Sequence, residues 1–307
     1  MTAVAALEAG RAVPGRSRVR RLIDGYGWLL TLFTAAWAML LLLPLFLMFV
    51  YSFFTTSGFE TDYSFSLETW HTLFESGRWR IGTRTLGVAV TVTAIIFVLA
   101  FPFALWLSKG CRSNGARTLI LTLLTIPFFL ETTSRTVIWR AILGTEGVVN
   151  TLLGGVGIEP QAWLLYSGFA VNFGMVLLYF PSMVFPIFMS LELVDDQLVG
   201  AAEDLGASPL QILRLVILPL ALPGIVAGII FTLVPTMAEF VVPQLLGGFN
   251  VNLLGNSINS ALSALKYPMA AALSAFVMAV LVILMGLLFI VLRRSRTIMN
   301  TFAEIRQ

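Results

Sequence analysis

Two carboxylates sit in stretches that are otherwise apolar. Glu239 lies four residues after Pro235, in a run (217–242) with no other charged residue; Glu131 follows Pro127 and precedes Arg135 by four. Ionisable side chains at membrane depth are costly to bury and are usually paired or functional. Two acids facing a cavity suit a cationic solute, with Trp139, Tyr179 or Phe128 offering an aromatic face to an ammonium group. Each residue also has a plainer role open to it. Glu131 can pair with Arg135 at i,i+4, Glu239 can hydrogen-bond between helices, and the aromatics can pack or anchor at the interface. Reaction chemistry finds little support. His71 is the only histidine and Cys111 the only cysteine, which excludes an intrachain disulfide and any Cys/His metal cluster. No Gly-x-x-x-x-Gly-Lys-Ser/Thr loop occurs, so the chain itself is expected to bind no ATP.

The stretch Asp195–Pro219 carries more information: DDQLVGAAEDLGASPLQILRLVILP. It reads as two short amphipathic pieces joined at Gly206 and Ser208-Pro209. Leu198, Ala201, Ala202 and Leu205 fall at helical spacing on one face. Ser208 is placed to cap the second piece, with Pro209 at its first position and Gln211 three residues after the cap. The alanines and Gly206 make a low-relief surface that another protein can approach closely. Asp195, Asp196, Glu203 and Asp204 would face water or a basic partner.

These residues resemble the cytoplasmic loop of binding-protein-dependent ABC importer permeases, which reads Glu-Ala-Ala, three residues, Gly, nine residues, Ile-x-Leu-Pro. Ala201, Ala202, Gly206, Leu218 and Pro219 match in register, Val216 replaces isoleucine, and Gly200 stands where the glutamate is usual. From about Trp28 onward the chain is similar to the polyamine permeases of the PotB type, through Ile126–Phe129, Ala207–Gly228, Leu245–Gly248, Leu254–Asn256 and Tyr267–Ala272.

The resemblance implies an all-α membrane protein with the type I ABC importer permease (MetI-like) fold. It implies docking to an ABC ATPase dimer through Leu198, Ala201, Ala202, Glu203, Asp204, Leu205, Gly206, Ala207 and Ser208. ATP and magnesium would be bound by those ATPase subunits, and no cofactor by this chain. A second, related permease and an external solute-binding protein would complete the system. The solute implied is a polyamine such as spermidine or putrescine; another small organic solute, an amino-acid derivative or opine, is the alternative. A stand-alone secondary carrier also fits the hydropathy, but it gives the 201–219 pattern no purpose.

The elements that must position these residues follow from composition. Of 307 residues, 58% are hydrophobic and 11% charged, and the mean hydropathy is +0.91. So few charges cannot cover a water-exposed surface, so much of it must face lipid. Helical spans of about 20 apolar residues are expected at Trp28–Phe54, Leu86–Leu107, Thr118–Phe129 with its continuation to about Ala141, Gly168–Leu191, Ile217–Val242 and Ala271–Leu292. Six crossings put both termini on one side. That side holds 13 Lys and Arg against 6 on the other, so both termini are expected to be cytoplasmic; the membrane that the resemblance implies is the bacterial inner membrane. The expected domains are a basic cytoplasmic tail at 1–24, a permease domain at 25–293 with its coupling loop at 195–218, and a cytoplasmic tail at 294–307. The N-terminal apolar run is too long for a signal-peptide core. Arg293, Arg294 and Arg296 would anchor the last span on anionic lipid. The scattered basic residues argue against a nucleic-acid partner. External loops are expected at 55–85 and 144–167, the second with a short helix near Val148–Leu153. Prolines inside the apolar runs predict bends of the kind tolerated beside protein or a wet cavity.

Overall fold

The computed structural model describes residues 27–304 apart from Phe59 and Phe249, and of Gly27 and residues 291–304 the backbone alone. The expected basic tail at 1–24 and the last-span arginine side chains therefore lie outside the described residues. Two compact units divide between Tyr51 and Ser52. The first contributes one described helix, α1 (Gly27–Tyr51), with Pro44 inside it. Thr34 returns its hydroxyl to the Leu30 carbonyl at 2.9 Å, which satisfies a polar side chain within an apolar helix.

The second unit opens with a hairpin, β1 (Thr55–Ser57) antiparallel to β2 (Glu60–Asp62), and a short helix α2 (Glu68–Glu75). Helix α3 (Trp79–Leu105) continues through a π turn at Trp106–Gly110. It starts seven residues before the expected Leu86. Arg80 and Arg84 lower the hydropathy of its first turns without breaking the helix, which packs there through Gly82 against the Phe276 ring. Next come α4 (Asn114–Thr125) with a 3-10 turn at Ile126–Phe129, then α5 (Thr132–Leu143) and α6 (Val148–Gly155). The third expected span is not straight: Asn114–Phe129 and Thr132–Gly155 meet at 101°. Helix α6 coincides with the short helix expected near 148–153.

The remaining elements are α7 (Gly168–Glu192), α8 (Asp196–Asp204), α9 (Pro209–Ile212) leading through a π turn (Leu213–Ile217) into α10 (Leu218–Ala238), a π turn at Pro243–Gly247, α11 (Leu254–Ser263) and α12 (Tyr267–Glu304). The segment expected as a tail from 294 is thus helical to Glu304. Among the described residues five helices are long and apolar enough to cross a membrane, or six spans if the bent pair counts as one. Departures from α geometry cluster at prolines. Pro127 lies in the 3-10 turn, Pro243 opens one π turn, Pro219 follows another and Pro102 precedes the third; of the three near π turns, Pro219 is the one whose missing donor falls inside the turn, at the Leu215 carbonyl.

Helix α7 packs against both α3 and α10. Their shared core holds Ile96, Ala100 and Ala104 from α3, Met183, Ile187 and Leu191 from α7, and Ala221 and Ile225 from α10. The α7–α10 contact uses Gly224 and Gly228, four residues apart on one face. A Cβ at Gly224 would collide with the Pro186 carbonyl oxygen and Ser190 Cβ; one at Gly228 would lie 2.8 Å from Met183 Sδ. Small residues at this spacing let helix backbones approach where no hydrophobic drive separates helix from lipid. Gly224→Val is expected to destabilise the protein by about 1–3 kcal/mol through overpacking, read as a lowered melting temperature in detergent. An unchanged melting temperature would place these helices elsewhere.

Candidate functional site

The segment between α7 and α10 is built from local sequence. Asp195 caps α8, its Oδ1 accepting from Gln197 N at 2.9 Å. The helix closes on Gly206 at φ +80°. Gly206 N donates to the Glu203 carbonyl at 2.8 Å, and Ala207 N to the Ala202 carbonyl at 3.0 Å. That pair of bonds is a Schellman end, which favours glycine because its left-handed backbone penalises a Cβ. Ser208 N then donates to Gln211 Oε1 at 2.7 Å, in the expected capping box.

The exposed residues of this segment include Leu198 (51%), Ala201, Glu203, Asp204, Leu205 (87%), Gly206 and Ser208. Ala202 departs from the face expected for it. With Val199 and Ala207 it packs partly buried against the main core, because positions 199 and 202, one turn apart, hold the helix down. Leu198, Ala201 and Leu205 form the outward stripe instead. Large exposed leucines on an otherwise low surface are what an unfilled protein contact looks like.

The two candidate acids have their oxygens largely spoken for. Glu239 follows α10 in extended conformation. Its Oε1 accepts from Val241 N at 2.8 Å and Val242 N at 3.4 Å, and its Oε2 from the Tyr179 hydroxyl at 2.6 Å. It therefore starts the next helical piece and ties it to α7. Glu131 does the same for α5: Oε2 accepts from Ser134 N at 3.0 Å and Oε1 from the Thr133 hydroxyl at 2.8 Å. No ion pair joins Glu131 to Arg135, whose Nε is buried without a hydrogen-bond partner. Trp139 meets Phe173 edge-on at 5.1 Å, and Phe128 meets Phe185 at 5.9 Å. The structure thus brings Glu239 and Tyr179 into contact and gives each of Trp139 and Phe128 an aromatic neighbour.

One feature escapes sequence reading. A cleft of about 780 Å³ is lined by Arg140, Tyr166, Gln244, Asn250, Asn252, Asn256 and Asn259. At its edge Arg140 Nη2 donates to the Tyr166 hydroxyl at 2.9 Å, and Asn250 Nδ2 to the Tyr166 carbonyl at 2.8 Å. Tyr166 has φ +55°, a rare conformation for an aromatic residue. The signal available in sequence was the run of amides from Gln244 to Asn259.

Residues 96–300 match the family described as binding-protein-dependent transport system inner membrane component. The spermidine/putrescine transport system permease protein PotB of Haemophilus influenzae is 34% identical over 268 residues, covering 86% of this chain and 91% of that one. PotB of Escherichia coli is 34% identical, covering 78% and 86%. The inner membrane ABC transporter permease protein YdcU of Escherichia coli is also 34% identical, covering 65% and 67%. Among solved structures, a bacterial ABC transporter importing the acidic polysaccharide alginate superposes with a TM-score of 0.65 at 18% identity, over 90% of this chain and 99% of that one. A second structure of a bacterial alginate transporter, in complex with its pentasaccharide-bound periplasmic protein, gives 0.63 at 18% identity, over 88% and 96%.

Proposed function

The chain belongs to the binding-protein-dependent transport system inner membrane components, and from that premise we propose that it forms half of the translocation pathway of an ATP-driven importer for a polyamine. Membership makes it a multi-pass inner-membrane permease subunit of ABC importers rather than an enzyme. Further steps are our reading. The segment 195–218 receives one subunit of an ABC ATPase dimer, which supplies bound ATP and magnesium. A second, related permease closes the pathway, and an external binding protein delivers solute. Both termini and the docking segment are cytoplasmic, as the excess of Lys and Arg on that side supports.

The observation that carries this reading is α8. It is a short helix between two spans, ended by a glycine turn where the family motif has its glycine, with Leu198, Ala201 and Leu205 turned outward. A push on it reaches α7 and α10 through the chain itself. Polyamine as solute rests on the relatives named PotB and on the half-buried Glu239 beside Tyr179. Trp139, Phe128 and Glu131 are the further pathway contacts we assign. A secondary carrier would have no use for α8.

Reconstitution tests the whole reading. Vesicles holding this chain, its ATPase, a second permease and the binding protein should take up spermidine or putrescine only with ATP, and this chain alone should take up neither. Uptake by the isolated chain refutes the importer assignment. ATP-driven uptake of an opine in place of polyamine would keep the importer and replace the solute.

A further inference from the structure

We propose, resting on that docking role, that Lys109 and Arg117 latch the docking segment to α3 and α4, so that a push on α8 moves those helices together with α7 and α10. Only Leu193, Val194 and Asp195 separate α7 from α8. Lys109, in the π turn that ends α3, donates to the carbonyl of buried Val194 at 2.6 Å and to Asp196 Oδ1 at 2.5 Å. Arg117 in α4 pairs with Glu192, the last residue of α7, and its guanidinium lies 4.9 Å from the Phe188 ring. Ser108, beside Lys109, donates to the other oxygen of Glu192 at 2.6 Å.

The joint between α7 and α8 is therefore gripped from two sides by residues more than 70 positions away in sequence. The side chains of Lys109 and Arg117 are 21% and 23% exposed, against 84% for Asp196 and 35% for Glu192, so the bonds to the Val194 carbonyl and to Glu192 are screened less than the one to Asp196. Apolar helix faces can slide past one another under load. Bonds directed to a carbonyl and a carboxylate resist that sliding, which makes these residues positioning groups for the power stroke. The ATPase then drives a four-helix block rather than two helices.

The test uses the complete transporter in vesicles, reading solute moved per ATP hydrolysed. Arg117→Glu and Glu192→Arg singly should keep basal ATP hydrolysis and lower the transport ratio about fivefold, the low end of inter-site coupling. The double variant, which reverses the pair, should recover at least half of the loss. Normal ratios in both single variants, or a loss that reversal leaves uncorrected, overturn the latch. Spin labels at Arg112 and Leu193, which is 87% exposed in the joint and outside the docking segment, give a reading independent of those variants. Their separation should stay constant through the nucleotide cycle, and a change overturns the latch. A wild-type complex without ATP-driven uptake refutes the docking role instead.

Discussion

Leu205→Asp is expected to weaken ATPase binding at least tenfold and to abolish uptake, without unfolding the permease. Leu205 is 87% exposed at the end of α8, so the fold gains little from its side chain and should lose little with it. A leucine entering a partner's pocket is another matter. A buried interface anchor contributes about 2 kcal/mol or more, and each 1.4 kcal/mol is about tenfold in affinity; aspartate would also bring an unpaired charge into the contact. Gly206→Val should act by a different route. A Cβ there meets no atom, so any loss comes from forcing a branched residue to φ +80°, which distorts the Schellman turn and swings Leu205. Titrating detergent-purified permease with ATPase and recording the melting temperature separates the two effects. Undiminished binding by Leu205→Asp would show that the ATPase docks elsewhere.

The second large effect concerns Glu239. Glu239→Gln keeps an oxygen to accept from Val241 N and an amide to face Tyr179, so stability should fall by no more than about 1 kcal/mol. Polyamine uptake should fall tenfold or more, since a charge-assisted contact contributes about 1.5–3 kcal/mol. Glu239→Ala removes the cap as well and should cost a further 0.5–2 kcal/mol or so of stability. If Glu239→Gln transports normally while Glu239→Ala is destabilised, Glu239 is a cap and the solute is held by other groups.

The spans were legible because lipid demands long apolar runs, and five of the six expected segments coincide with single helices to within a few turns. The docking segment was legible for a local reason: Asp195, Gly206 and the Ser208–Gln211 pair act within four residues of themselves. What failed to show was set by geometry across the fold. A carboxylate in an apolar run reads as a solute contact, and the folded chain adds a second use that residue type does not reveal: Glu131 and Glu239 both accept from neighbouring backbone N–H groups where a helix restarts. The 101° bend was marked by Pro127, but its angle depends on how Glu131 begins α5. Ala202 fits the outward face by spacing but packs inward, because Leu198, Val199, Ala201, Ala202 and Leu205 fit more than one stripe. Lys109 and Arg117 looked like members of a positive-inside cluster, and only the folded chain brings them to Val194 and Glu192.

The π turn at Leu213–Ile217 bears on chain length. Ile212 and Ile217 are both core residues, at 5% and 8% exposure, and they stand five apart where a regular α-helix would face inward at three or four. Between them Leu215 points out at 74% exposure. The wide turn thus stores one residue more than the two inward contacts require, as an insertion accommodated without rephasing either neighbour. Deleting one residue at Leu215 would still leave both inward contacts in place.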